Sequence, residues 1–274
     1  MRMIRKQKKS KSTKYWLTQR DALLASFRNI PNKAFFKAML YDFLTLIAIL
    51  IVLNIGALFI NLVSVPAFPK LLNVYQLGQN GNEEVFQQAI VEFAPVLNRV
   101  LWLSLIISII TCLLLVFFIS LFYGKAWSIR LKKKFSTLAF RKYFLLNFVW
   151  LIAWIIILII TINVFVIPVA TFFILIEFLF FLYSDPALRT VFDEKKTLRQ
   201  NFSKFFKCIK RVHWFIFFLI TAILLMLILL LITGLFIEIP VLFAIITLIF
   251  ALFFMGWVRN YIIYIINITK HIKN

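Results

Sequence analysis

FLLNFVWLIAWIIILIITINVFVIPVATFFILIEFLFFLYS, residues 144–184, carries one ionisable residue in its apolar interior, Glu177. A bilayer-spanning helix needs about 20 apolar residues, so this run holds two spans. Pro168 divides it. Proline fits the first turn of a helix, where a missing N–H costs nothing. The run therefore reads as helices over 144–165 and 168–184, joined by a tight turn. This sets the fold class: all-α, a polytopic membrane helical bundle.

Four more apolar runs flank it, over 40–62, 100–123, 213–236 and 241–261, which makes six transmembrane helices. The whole chain agrees. Its 274 residues are 63% hydrophobic with a mean hydropathy of +0.97, against about 45–50% apolar in soluble domains. Residues 1–38 read as a basic cytoplasmic leader with an amphipathic helix over about 18–29. Residues 39–264 are the membrane domain, and 265–274 a short cytoplasmic tail.

The net charge of +21 raises a nucleic-acid reading, but the placement of the charges argues against it. Of 31 basic residues, all but Lys70 and Arg99 fall on one set of alternate segments. Lys and Arg on short loops mark the cytoplasmic side. Both termini are expected in the cytoplasm, in the plasma (inner) membrane of a prokaryote, with no nucleic acid as partner. Cys112 and Cys208 show no pairing or zinc spacing.

The chain reads as three hairpins. Each has a basic aromatic entry (Phe36-Lys37, Phe140-Arg141, Phe206-Lys207) and an outer turn at Val65-Pro66, Ile167-Pro168 or Ile239-Pro240. The outer segment 63–99 ends in a helix expected to rest on the interface. Two basic stretches have helical apolar periodicity. In one, Leu198, Phe202, Phe205, Ile209 and Val212 lie opposite Arg199, Lys204, Lys207, Lys210 and Arg211. In the other, Trp127, Leu131, Phe135 and Leu138 accompany Lys132, Lys133 and Lys134. Both have the pattern of interfacial amphipathic helices. Their expected ligands are membrane lipids with anionic headgroups at the cytoplasmic face, or an acidic protein partner.

One acid lies deep in a span. Glu177 is nine residues past Pro168 and eight before Asp185, roughly 13 Å from either end at 1.5 Å per residue. An intramembrane acid is costly and needs a partner. Asn54, Ser108, Thr111 and Thr247 are polar side chains in other spans. The expectation is an uncharged carboxyl hydrogen-bonded to one of them.

SDPALRTVFDEKKTLRQNFSKFFKCIKRVHWFIFFLI, residues 184–220, resembles a pattern in uncharacterised prokaryotic six-helix integral membrane proteins. These are related to the membrane domain attached to some glycerophosphoryl diester phosphodiesterases. Asp185-Pro186, Asp193-Glu194, Phe202 to Val212 and Trp214 carry the likeness, and IEIPV, 237–241, fits its outer turn. The likeness covers about 120–265, and the family pattern holds more glycine. Nothing in these residues matches the phosphodiesterase catalytic domain, so the resemblance implies a fold and no activity.

The two histidines, His213 and His271, lie near the inner face, and there is no P-loop, metal-ligand spacing or paired midplane carboxylate. The expected function is non-enzymatic, without metal or cofactor: a membrane scaffold or lipid- and partner-binding domain. The alternative is a small permease or channel with Glu177 in its pathway.

Overall fold

The computed structural model describes residues 11–28, 30, 32–79, 83–209, 216–236 and 238–271. Among them every regular element is helical: α1 Lys11–Arg28, α2 Lys33–Ser64, a 3-10 turn Val65–Ala67, α3 Phe68–Gln79 and α4 Glu83–Phe118. A π-helical turn, Ile119–Tyr123, leads into α5, Gly124–Arg130. The rest of the chain forms α6 Thr137–Val164, α7 Ile167–Val191, α8 Leu198–Ile209, α9 Ile216–Gly234 and α10 Pro240–His271. Six helical stretches are long and apolar enough to cross a membrane. Their flanks stay uncovered by protein: Ile167 is 83% exposed and Leu235 80%. Apolar surface on this scale calls for lipid as its solvent.

The helices run past the apolar windows at both ends. α2 begins at Lys33 and α10 continues to His271, while Asp42 and Arg259 lie within the predicted spans 40–62 and 241–261. The leader differs from expectation as well. α1 begins at Lys11, within the stretch read as polar leader, while residues 1–10 lie outside the described residues. In the outer segment, α4 passes without a break from Glu83 into the second span, through Pro95. The interfacial helix read there is the first part of that span.

Residues Leu44–Leu121 form one compact unit. Within it Gly56 faces Thr111 so closely that a Cβ would stand 2.6 Å from the threonine Oγ1. A small residue at that point lets α2 and α4 approach, the usual device where lipid gives helices no hydrophobic drive to associate.

The second unit contains the residues up to Phe43 and those from Phe122 on. α6 ends at Val164 and the chain turns through extended Phe165 and Val166. Pro168 then opens α7, as its position in the apolar run predicts. At the other end Ser136 caps α6, its Oγ accepting from the Ala139 N–H at 3.0 Å.

The core of this unit gathers where the basic residues are. Trp257 and Tyr261 of α10 stack with Phe218 of α9 at centroid separations of 5.7 and 5.5 Å. α1 closes over them. Phe27 stacks on Trp257, the Trp257 indole N–H donates to Ser26 Oγ, and the Tyr261 hydroxyl donates to Gln19 Oε1. The leader helix is thus part of the fold.

The two basic stretches have different fates. α8 covers 198–209 of the first stretch, while Lys210, Arg211 and Val212 lie outside the described residues; its Phe205 is buried in the core, with Leu198 and Phe202 packed against it. The apolar face of α8 is therefore committed to protein. The stretch 127–138 is not one helix. α5 ends at Arg130, Lys132 takes a left-handed backbone with φ 54°, and a new helix begins at Thr137. Trp127 points inward and is fully buried.

Candidate functional site: a charged layer and a basic pocket

Four charged side chains are buried together where α2, α5, α7 and α10 meet. Arg259 Nη2 donates to Asp42 Oδ1 at 2.5 Å, with both side chains inaccessible. One turn apart on α7, Arg189 grips Asp185 with two parallel bonds, Nε to Oδ2 at 2.9 Å and Nη2 to Oδ1 at 2.8 Å. Such fork-to-fork pairing is the strongest geometry available to these groups. The phenol ring of Tyr123 lies between the guanidiniums, 4.5 Å from Arg189 and 5.4 Å from Arg259. Trp127 gives Arg259 a second aromatic face at 5.2 Å. Ring faces attract cations most where water is excluded.

Tyr123 reaches this place from the π-helical turn that closes the long α4 rod. A single π turn widens a helix and re-aims the residues beyond it, and such turns recur at functional sites. The layer holds two carboxylates and two guanidiniums, so it is neutral overall. Burial of unpaired charge is costly, so each carboxylate is matched by a guanidinium, although Asp42 Oδ2, Arg189 Nη1 and Arg259 Nε and Nη1 have no hydrogen-bond partner among the described residues.

Two hollows flank the layer. On one side a cleft of about 300 Å³ is lined by Tyr123, Phe181, Asp185, Met226, Phe254 and other apolar residues of α7, α9 and α10. On the other a pocket of about 500 Å³ is lined by Arg130, Lys132, Lys133, Thr190, Asn260 and Asn267 among others. Arg130 donates to Asn260 Oδ1 and lies over the Phe35 ring at 5.9 Å. Asn260 in turn donates to the Ser26 carbonyl at 3.3 Å.

The expected intramembrane cluster is not what Glu177 joins. Its Oε1 accepts the hydroxyl of Thr161, a buried residue of α6. Asn54 bonds the Leu50 carbonyl, Ser108 that of Ser104, Thr111 that of Ile107 and Thr247 that of Phe243. Each serves its own helix, the common behaviour of hydroxyls and amides in apolar helices. Thr161 and Glu177 face each other because α6 and α7 run antiparallel from the Phe165–Val166 turn. Thr161 is four residues before Phe165 and Glu177 eleven after Val166, so counting equal distances from the turn would not have paired them.

Among the expected headgroup ligands, Lys132 and Lys133 line the basic pocket, and Lys134 borders a smaller hollow with Glu194. Lys204 stands 3.6 Å from Asp193, and Lys207 is exposed near the end of α8. Lys210 and Arg211 lie outside the described residues. Sequence reasoning passed over Asp42, Tyr123, Arg130, Arg189 and Arg259. The signal was present: Asp42 and Arg259 interrupt the same end of two apolar runs with opposite charge.

Asp193 secures the α7–α8 connection. Its Oδ1 accepts from the Lys195 N–H at 3.1 Å, and its backbone exchanges two bonds with the Asn201 side chain. The Lys195 N–H, then Lys204, Lys133 and Lys196, hold its carboxyl below the usual carboxylate range. A depressed folded-state pKa stabilises above the unfolded value and is lost as pH falls through the folded value. Amide protection over 192–201, taken relative to the intrinsic exchange rate at each pH, is therefore expected to fall on acidification, and Asp193→Asn should flatten that fall. An unchanged pH profile in the variant would remove the carboxyl as its cause.

These features define a multi-pass, all-helical membrane protein with a charged layer toward one end of its spans. No protein-family model matches the chain, and neither a curated protein nor a solved structure is similar to it.

Proposed function

We propose that this chain is a non-catalytic membrane domain whose basic end holds anionic headgroups, or the acidic surface of a protein partner. The observation that carries the reading is the division of labour on α8 and the 131–134 turn. Phe205 is buried in the bundle, while Lys132, Lys133, Lys134 and Lys207 are left exposed. Anchoring by apolar insertion would need that face free. With the face used internally, what remains for the surroundings is charge. By the distribution of Lys and Arg this end is cytoplasmic, and the six spans are taken as three hairpins in a prokaryotic plasma membrane. The bond from Thr161 to Glu177 favours a packing role for that acid over a place in a permeation path.

The full chain in uncharged detergent, titrated with short-chain phosphatidylglycerol, tests this. A juxtamembrane basic residue contributes about 1 kcal/mol of attraction to an anionic surface. Lys134, Lys204 and Lys207 changed together to Gln should weaken binding on the order of a hundred-fold. Rising salt should weaken the wild type in the same direction. Binding indifferent to both would reject the reading.

A further inference from the structure

We propose that the basic pocket is a specific site for a phosphomonoester dianion, borne by a lipid headgroup or by a small soluble molecule. This rests on the reading above and narrows it to one place and one chemistry.

The pocket is built where four spans end. Its walls are Asn32 before α2, Arg130 at the end of α5 with Leu131 to Lys133 after it, Thr190 on the last turn of α7, and residues of α10 from Asn260 to Asn267. The candidate spans themselves terminate at Lys33, Arg130, Val191 and Asn267. The hollow therefore lies at the helix ends where basic residues cluster, the end that the distribution of Lys and Arg assigns to the cytoplasm.

Its lining contains three cationic side chains and no carboxylate. Two of the three are set in place. Arg130 is held by Asn260 and by the Phe35 ring, and Lys133 Nζ donates to the Phe192 carbonyl at 2.9 Å. The Lys132 side chain is exposed. Its φ of 54° is the one positive value among the described non-glycine residues. A left-handed backbone is strained in a residue with a Cβ. Here it breaks the helix beside the hollow, where Lys132 is exposed, while Lys133 borders both this hollow and the smaller one and sends its Nζ to the Phe192 carbonyl. The Arg130 and Lys132 charges at this mouth, with Lys133 at its border, repel one another unless an anion lies among them.

The charge selects the anion. A phosphomonoester has about −1.5 to −2 charges near neutral pH and three strong acceptor oxygens. It can meet three cationic donors at once. A diester headgroup brings one charge and leaves the cations undercompensated. Thr190, Tyr264 and Asn267 supply neutral polar groups for the remainder of the phosphate-bearing molecule.

The test uses the full chain in uncharged detergent, with short-chain phosphatidic acid, phosphatidylglycerol of equal chain length, and inorganic phosphate as probes. Phosphatidic acid should bind about ten-fold more tightly than phosphatidylglycerol. Lys132→Gln should remove most of that preference and Lys132→Arg should retain it. Asn267→Asp, which puts a carboxylate into the lining, should also abolish it. Displacement by inorganic phosphate at similar concentration would assign a soluble ligand, and its failure to compete a lipid one.

Equal binding of the two lipids by the wild type would overturn the proposal. So would a preference that survives both Lys132→Gln and Asn267→Asp. Either result leaves the general reading intact if the Lys134, Lys204 and Lys207 variant still loses affinity for both lipids. No loss there would instead reject the general reading.

Discussion

Arg259→Ala is expected to destabilise the protein by about 3–5 kcal/mol, the range for breaking one partner out of a buried pair. The change removes a cation from contact with Asp42, Tyr123 and Trp127 and leaves the Asp42 carboxylate without compensation. Asp42 Oδ2 already lacks a hydrogen bond among the described residues, so no spare contact can take over. The check is the unfolding midpoint in detergent. Replacing both residues by apolar side chains of similar volume, Asp42→Leu with Arg259→Met, should recover most of the loss. Such swaps are often neutral or better than the ion pair. A single variant as stable as the wild type would mean that the layer contributes nothing. A double variant no better than the single would mean that shape and ring contacts, and not charge, hold it.

Trp257→Ala should cost about as much, roughly 3–5 kcal/mol for a large aromatic in a core. The indole is fully buried, stacks on Phe27 and Phe218, and bonds Ser26. Two of those partners belong to α1, which gives the variant a local signature. Limited proteolysis should cut within 11–28 at a rate well above that of the wild type. Trp257→Phe keeps the stacking and loses the N–H, so it should fall between the two. If α1 stays protected in the alanine variant, its docking depends on Gln19 and Tyr261 instead.

The spans were legible because length and hydropathy are properties of a segment alone. Pro168 marked the α6–α7 turn for the same reason: its effect is local. The partners were not legible, because pairing depends on which helix faces which. Glu177 drew attention by its depth, yet its partner Thr161 comes from the adjacent helix. The four candidates offered by polarity bond their own backbones. Asp42 and Arg259 escaped notice although both lie inside predicted spans, because a charge near the end of a span can reach the interface and by itself names no partner on a distant helix. The apolar periodicity over 127–138 misled for a further reason. It continues through Lys132, whose backbone leaves the helix, and side-chain spacing carries no trace of a single reversed dihedral.

The pairing of Asp42 with Arg259 also orders events at the ribosome. The two residues are 217 positions apart. At about 5–20 residues per second of synthesis, the acid waits on the order of 10–40 s for its cation. During that interval the first span enters the bilayer with an orphan carboxyl that later helices must cover. A chain that stops early never supplies Arg259 and keeps a polar lesion in its first helix.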